Sequence, residues 1–439
     1  MAALYPALLS LMLMALTLTS YHHYSSHERA PTSSLSKERG AKNLTVYVMA
    51  VGQGDGNIIL CPNGRDVIIV DMGAVQQYKY TDRSYGAYLL TKFGALNKNI
   101  HIVITHPDEG HYSFLPVSFP KDGKLIKSIK EIVLGGSLEV YEDKRRFIPW
   151  LRDMSESFPV FTVNNGSECY GNDACGLTPV SAAATKKMLR KRPSEKDLWQ
   201  FCGDDVRITV LGANICGTGR CSRTDRNERS IILKVEYKEW SLFMSGDFEG
   251  VNQQKKLMRH WNGAGLQSVL RSTYYKVANH GSWTDKKQAN LDSLLKEVRP
   301  KRAYVSQAHP VMTYCMRYMH PKCKVFDGLI NAGMDKIDSI ATTPPVICWN
   351  DKFGWIEQRS GFAIYQTCRR YNTSSDKQIC QDIVITTDGY SDHTTYVNVK
   401  SQYIFLKRPY RPGGKTCSVR EWQKLKNQVS LLQPSLAAV

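Results

Sequence analysis

The chain has 439 residues, of which 42% are hydrophobic and 22% charged. This balance excludes wholesale disorder and allows one large or two ordinary domains. Lysine and arginine number 58 against 40 aspartate and glutamate residues, so the formal net charge is +18. A field of that sign attracts polyanions such as nucleic acid, acidic glycans or anionic membranes, although a solubilising surface has the same composition.

The N-terminus, residues 1–22, is typical of an export signal. The uncharged apolar run from Pro6 to Thr19 is too short for a comfortable membrane span, which needs about 20 apolar residues. A signal-anchor is the alternative, because no Lys or Arg precedes the run. No later segment is apolar and long enough to span a bilayer, so we expect a secreted protein. Residues 23–42 are polar and predict a linker.

The 12 Cys residues are an even number, which predicts disulfides in an exported chain. Three pairs lie close enough in the sequence to bond locally, namely Cys169/Cys175, Cys216/Cys221 and Cys315/Cys323. Sequons for N-glycosylation, plausible on exported surface loops, occur at Asn43, Asn165 and Asn372.

Hydrophobic patterning predicts a series of strands in chain order. They are Leu44–Ala50, Asn57–Cys61, Asp66–Val70, Ile100–Ile104, Glu131–Leu134, Val206–Leu211, Ser230–Tyr237, Ser241–Ser245, Tyr274–Val277 and Arg302–Ser306. Helical patterns occupy Phe147–Met154, Gly250–His260 and Ala289–Val298. Hairpins come first and strands then alternate with helices, which favours a sheet sandwich covered by helices over a purely parallel array.

Residues 346–439 differ in character from residues 43–345, which we assign to the main domain. Further strands are predicted at Gly361–Gln366, Asp382–Thr387, Thr394–Val399 and Gln402–Leu406, and the last stretch is basic. Disulfides could stabilise this extension as a small unit, because it contains four cysteines, namely Cys348, Cys368, Cys380 and Cys417. The alternative is that the extension completes the sheet of the main domain.

Polar side chains follow four of the predicted strands, where backbone pairing ends and side chains turn toward solvent. His106, Asp108 and His111 directly follow Ile100–Ile104. Imidazole and carboxylate together suit Zn²⁺, Mn²⁺ or Fe, and a short loop can bring three such side chains to one point. We interpret this segment as a metal site.

The other three polar segments are weaker when taken alone. Asp247 follows one strand beside a glycine, and His280 leaves another. Asp71 ends the third strand, where its carboxylate can accept a hydrogen bond from a metal-bound histidine. Each has a structural alternative, such as a turn residue, a buried structural histidine or a helix cap.

Taken together and in order, these segments resemble the metallo-β-lactamase domain of bacterial DNA-uptake competence proteins and their free-standing relatives. The shared features are Val51-Gly52-Gln53-Gly54-Asp55, Asp71-Met72-Gly73, Thr105-His106-Pro107-Asp108-Glu109-Gly110-His111, Asn227-Glu228-Arg229-Ser230, Ser245-Gly246-Asp247, Asn279-His280-Gly281-Ser282, Val305-Ser306 and His320-Pro321. The resemblance runs from about Asn43 to about Thr343. It implies an α/β (α+β) fold, a four-layer αβ/βα sandwich with a basic, Cys-containing, β-rich extension.

The resemblance also implies a site for one or two divalent ions, zinc or manganese. The implied ligands are His106, Asp108, His111, Asp247 and His280, of which Asp108 and Asp247 are also catalytic. Asp71 would accept a hydrogen bond from a metal-bound histidine without binding the ion itself. A metal-bound hydroxide would attack phosphorus or an acyl carbon. The family and the net charge together favour DNA, RNA or another phosphodiester over β-lactams.

Two positions depart from the family pattern. The family carries Asp immediately before the last His of the motif, whereas this chain has Gly110, with Glu109 as the neighbouring substitute. No His lies between His111 and His260, so the family's middle His position is left open or served by other side chains. Candidates for supporting roles are Asn227, Ser230 and, in the closing segment, His320.

These departures leave two classes of function open. One is a secreted metal-dependent hydrolase, a nuclease or phosphodiesterase. The other is a catalytically weakened relative that binds a polyanion or a protein partner through its basic surface. A hydrolase of small acyl substrates is less favoured, because it gives no role to the positive charge.

Overall fold

A computed structural model gives the fold and describes residues 43–75, 79–141, 146–155, 157–180, 199–217, 221–222, 224–284, 287–308, 319–337, 345–358, 361–368, 380–400 and 402. Several predictions lie outside these residues: the signal peptide, the linker, the basic end of the chain and the sequon at Asn372. In the described part, no helix is both long and apolar enough to cross a membrane.

Short runs rich in β-branched residues form the strands, as expected for side chains that pack on a pleated surface. The described strands are β1 Leu44–Val48, β2 Gly56–Leu60, β3 Asp66–Met72, β4 Asn99–Ile104, β5 Ile129–Leu134, β6 Val160–Val163, β7 Leu177–Pro179, β8 Val206–Gly212, β9 Ile232–Tyr237, β10 Trp240–Met244, β11 Tyr274–Lys276, β12 Arg302–Val305, β13 Val346–Asn350, β14 Gly354–Gln358, β15 Ile364–Gln366, β16 Gln381–Thr387 and β17 Asp392–Asn398. The predicted strands up to Ser306 agree with these bounds within two residues.

Two large mixed sheets contain most of the strands. The first has the order β17-β16-β1-β2-β3-β4-β5-β6-β7, and its strands β3 to β6 are parallel. The second has the order β15-β12-β11-β10-β9-β8, with β10, β11, β12 and β15 parallel. β13 and β14 form a separate hairpin.

The helices cover the outer faces of these sheets. The described α-helices are α1 Tyr85–Lys92, α2 Glu109–Tyr112, α3 Leu115–Ser118, α4 Phe147–Met154, α5 Val251–Gly263, α6 Asp292–Val298 and α7 Cys323–Asn331. The predicted helix Phe147–Met154 is confirmed. The one predicted from Ala289 begins only at Asp292, because the Asn290 side chain binds the backbone of Ala278 on both its N–H and its C=O.

Three apolar clusters fill the spaces between the layers. Ile68 of β3 points into the cluster between the two sheets, where it joins Leu242 of β10. Its neighbour Ile69 points the other way, into the cluster beneath α1 and α4. Phe243 of β10 belongs to the third cluster, beneath α5, α6 and α7. This alternation gives the layer order helix, sheet, sheet, helix, so the predicted α+β sandwich is confirmed.

Strands from residues 346–439 enter both large sheets. β15 lies beside β12 in the second sheet, and β16 lies beside β1 in the first. The first sheet therefore pairs the described start of the chain with its later part.

Five disulfides join cysteines of the described residues. The local pairs Cys169–Cys175 and Cys216–Cys221 are confirmed. The prediction that Cys323 pairs with Cys315 is wrong, since Cys323 is bonded to Cys348. Cys323 begins α7 and Cys348 lies on β13, and the packing of that helix on that strand decides the partner. The remaining pairs are Cys61–Cys202 and Cys368–Cys380.

Candidate metal centre

The polar segments singled out in the sequence meet at one edge of the two facing sheets. β4 ends at Ile104, β10 at Met244 and β11 at Lys276, and polar residues follow each of these ends. The carboxyl ends of parallel strands lie at the same edge of a sheet, which is where α/β proteins bind ligands. Segments that are far apart in the sequence therefore come together here.

Three histidine side chains face one carboxylate oxygen, Oδ2 of Asp247. This oxygen lies 3.3 Å from Nε2 of His111, 3.4 Å from Nε2 of His280 and 3.8 Å from Nε2 of His106. All four residues are buried, with at most 5% of their surface exposed. Four of the five residues that the family resemblance implies as ligands thus surround one point.

Asp71 fixes the orientation of the His111 ring. Oδ2 of Asp71 lies 2.9 Å from Nδ1 of His111, so Nδ1 donates its proton there and Nε2 turns toward Asp247. Thr105 donates both its backbone N–H and its hydroxyl to the same carboxylate. The backbone of Asp71 has a φ of 61°. His111 lies on the one-turn helix α2, where the sequence predicted a loop.

The other two imidazole rings also use Nδ1 for a hydrogen bond and turn Nε2 toward Asp247. Nδ1 of His280 donates to the carbonyl oxygen of Ser306 at 2.7 Å. Nδ1 of His106 lies 3.0 Å from the hydroxyl oxygen of Thr105, whose own proton goes to Asp71, so this nitrogen must be the donor. In each neutral ring the remaining nitrogen, Nε2, presents a lone pair toward Asp247.

Lone pairs that face a carboxylate repel one another unless a proton or a metal ion lies between them. Nε2 of His106 and Oδ1 of Asp247 are buried and have no hydrogen-bond partner, and the same is true of Oδ1 of Asp55. Burying polar atoms without partners is costly. These acceptors fit a cation, so the cluster could bind a metal ion.

The distances fit a small divalent ion as well. Zinc bonds to nitrogen and oxygen are about 2.0–2.2 Å long and usually tetrahedral, which places ligand atoms about 3.3 Å from one another. The distances from Asp247 to His111 and His280 have that value. Atoms of Asp55, His111, Asp247 and His280 that could bind an ion all lie within 4.8 Å of one another.

Without a cation, the charges of the cluster favour protonation of two of the rings. Burial acts to lower the pKa of His111, but Asp247 and Asp71 outweigh it and raise that pKa well above its usual value. Burial is likewise outweighed at His280, whose pKa Asp247 raises. Burial and the neighbouring His111 lower the pKa of His106 to about 3. The cluster therefore attracts positive charge from whatever source is present.

Asp55 and Lys276 belong to the cluster, although the sequence reading gave neither a role. Nζ of Lys276 lies 2.7 Å from Oδ2 of Asp55 and donates to the carbonyl oxygen of Gly246. Both side chains are almost fully buried. Two signals were available: a carboxylate in the Gly-rich turn after β1, and a lysine inside the apolar strand β11.

The remaining predicted residues are spread around the cluster. Oδ2 of Asp108 lies 3.9 Å from Nε2 of His106, while its Oδ1 accepts a hydrogen bond from Arg226. Glu109 faces Arg83 at 3.9 Å and does not line the cavity beside the cluster. Ser230 is fully buried, and its hydroxyl has no hydrogen-bond partner.

A cavity of about 430 Å³ opens onto the cluster, and His111, Asp247 and His280 form part of its wall. The other lining side chains are mostly polar or aromatic, among them Gln53, Asp108, Asn227, Asn279, Ser282, Trp283, Thr284, His320 and Lys322. Nε2 of His320 lies 3.1 Å from the amide nitrogen of Gln53, which donates to it. Burial and the nearby His280 lower the pKa of His320 to about 3, so it lines the cavity as a neutral ring.

No protein-family model matches the chain, and no curated protein matches it. One similar solved structure is a protein from Parabacteroides distasonis ATCC 8503, described provisionally as a metal-dependent hydrolase. The alignment covers 66% of this chain and 91% of that one, with 12% sequence identity and a TM-score of 0.32. At that score the likeness says nothing about the site, so the assignment of a metal centre depends on the side-chain geometry.

Proposed function

We propose that the chain is a secreted, metal-dependent hydrolase of the metallo-β-lactamase type that acts as a nuclease or phosphodiesterase. The observation that carries the proposal is the convergence of three imidazole lone pairs on Oδ2 of Asp247, beside a polar cavity. Such a set of nitrogen and oxygen donors suits zinc or manganese.

A divalent cation bound by His111, Asp247 and His280, with His106 alongside, supplies Lewis-acid activation of water. The chain's own residues prepare that chemistry. Asp71 and the carbonyl oxygen of Ser306 hold two of the rings in one tautomer, so their Nε2 atoms stay available. The cluster is buried, and the cavity gives a substrate and water access to it.

The rim of the cavity supports an anionic substrate. Lys322 lines it as a pair with Asp351, and Nζ of the exposed Lys324 lies 3.7 Å from the ring centre of Trp283, which also lines it. Lysines attract phosphates. Trp283 is half-buried, and the part of its ring that lines the cavity offers a surface on which a base can stack. Together with the net charge of +18, this rim favours DNA, RNA or another polyanion.

Export is supported by the covalent structure. Five disulfides among the described residues are typical of an oxidising compartment. The sequons at Asn43 and Asn165 lie on exposed residues, where glycosylation is possible in an exported protein.

The test is hydrolysis of a panel of DNA, RNA, phosphodiesters and acyl esters by wild type and Asp247→Ala, with zinc or manganese present. Asp122→Ala is the matched control, because Asp122 is exposed and lies outside the cluster. We expect hydrolysis of a phosphodiester by wild type and the control, and none by Asp247→Ala. Hydrolysis that survives in Asp247→Ala would contradict the assignment of the site.

A second candidate is a weakened relative that binds polyanions without hydrolysing them. Gly110 favours it, because this residue lines the cavity beside His111 and contributes no carboxylate there. Tight binding of an oligonucleotide without any turnover of the panel, in the presence of either metal, would select this candidate.

A further inference from the structure

The buried charges of the cluster do not balance when its imidazoles are neutral and no cation is bound. Three carboxylates, those of Asp55, Asp71 and Asp247, are buried, with at most 5% of each residue exposed. One ammonium group, that of Lys276, is buried with them and contacts Asp55. With the imidazoles neutral, as they must be to bind a metal ion, the formal charge of this set is −2, and a charge of that size is costly away from water unless a cation balances it.

Charged residues around this set are already paired with one another. Asp108 accepts a hydrogen bond from Arg226 at 3.1 Å. Glu249 is paired with Lys287 at 2.8 Å. Lys322, at the cavity, is paired with Asp351. These pairs add no net charge to the cluster.

We propose that the cluster holds one divalent cation. Lys276 is the positioning residue that sets this number, because it pairs with Asp55 and cancels one of the three buried negative charges. The inference rests on the proposed metal site. One divalent ion cancels the charge of −2, whereas a second ion would leave an excess of +2. Gly110 contributes no further carboxylate, and Asp108 is neutralised by Arg226.

Asp55 is on this account a source of charge and not a ligand. Its Oδ2 is held by Lys276, and its backbone N–H donates to the carbonyl oxygen of Gly110. The same Oδ2 lies 3.6 Å from Nδ1 of His111, on the side of the ring that faces away from Asp247. The Lys276–Asp55 pair therefore packs behind the ligands.

The number of ions is measured directly by calorimetric titration of the metal-free chain with Zn²⁺, checked by elemental analysis after dialysis. We expect about one ion per chain at saturation. Two ions per chain would overturn the inference and leave the proposed hydrolase intact. One ion per chain without any phosphodiester hydrolysis would support the inference and contradict the proposed hydrolase. No bound ion would overturn both.

The role of Lys276 is tested by charge compensation, with metal affinity as the readout. Asp55→Asn reduces the buried charge to −1, so we expect Zn²⁺ to bind roughly 10- to 100-fold more weakly, as for loss of an outer partner. The double variant Asp55→Asn/Lys276→Met removes both members of the pair and restores −2, so the affinity should return close to wild type.

A double variant as weak as Asp55→Asn would show that Asp55 is a ligand. Wild-type affinity in Asp55→Asn would show that its charge does not matter. Either result overturns the role of Lys276. If Asp55→Asn does not fold, the ion count of the wild type still tests the inference.

Discussion

Two buried carboxylates in this chain have opposite surroundings. Asp382 on β16 accepts hydrogen bonds from the hydroxyls of Tyr47 and Tyr85 and from the backbone N–H of Ala50. Asp247 meets imidazole nitrogens with one oxygen, and its other oxygen has no hydrogen-bond partner. The first carboxylate is satisfied by neutral groups of the chain, while the second is not.

The pKa values of the two groups differ accordingly. Burial raises the pKa of Asp382 to about 6, although its three donors act to lower it. Burial also acts to raise the pKa of Asp247, but His280 and His111 hold it well below the usual value. A carboxylate satisfied by neutral donors is typical of a structural role. One that imidazoles hold ionised is typical of a functional site.

The largest expected effect that separates the two carboxylates is on metal affinity. Asp247→Asn removes the anion that the three imidazoles face, so Zn²⁺ should bind more weakly by well over the roughly 100-fold that loss of an outer partner costs. Asp382→Ala should leave the affinity unchanged. Competition with a chelator measures both, and equal affinities in the two variants would erase the distinction between the sites.

For the free energy of unfolding, we expect the larger effect at Asp382 and not at Asp247. Asp382→Ala removes the acceptor that two hydroxyls and one backbone N–H share, at about 1 kcal/mol or more for each lost hydrogen bond. The free energy of unfolding at pH 7 should therefore fall by about 3 kcal/mol in urea denaturation. Val384→Ala, on the same strand, provides a control for side-chain truncation. A loss no larger than that of the control would contradict a structural role for Asp382.

The pH dependence of stability sharpens the comparison. The pKa of Asp382 is about 6 in the folded chain and 3.8 ordinarily, so the folded state binds this proton more tightly. Its contribution is fully present below about pH 4 and is lost, by about 3 kcal/mol, as the pH rises through 6. Urea unfolding at pH 4 and pH 7 should show a larger advantage of wild type over Asp382→Ala at pH 4. An advantage that is equal at both values, or larger at pH 7, would refute this.

The smallest expected effect concerns Asp71, which touches a ligand without facing the ion. Asp71→Asn weakens the hydrogen bond that orients His111, so Zn²⁺ affinity should fall about 10- to 100-fold. Thr105→Ser keeps the hydroxyl that donates to Asp71 and should bind as wild type does. A loss in Asp71→Asn as large as in Asp247→Asn would mean that the two carboxylates act alike.

Local sequence patterns predicted the strands and therefore the strand ends where the site residues lie. His106, His111, Asp247 and His280 each follow an apolar run, and that signal lies within a few residues of each. The signals for Asp55 and Lys276 were weaker, because these residues matter through a contact between two segments far apart in the sequence. A lone aspartate in a Gly-rich turn looks like an ordinary turn residue.

The pairing of Cys323 failed for a related reason. Its partner is set by the packing of α7 on β13, and proximity in the sequence favoured Cys315 instead. The sequence could not predict where the Glu109 side chain points either. It faces Arg83, which lies on a different segment. Contacts between distant segments decided each outcome that the local pattern missed.

The most direct test of the metal centre is equilibrium dialysis of the purified chain and of Asp247→Asn against Zn²⁺ or Mn²⁺, followed by elemental analysis. We expect about one tightly held divalent ion per wild-type chain and none in the variant. Wild-type chain that retains no ion, or a variant that retains as much as wild type, would contradict it.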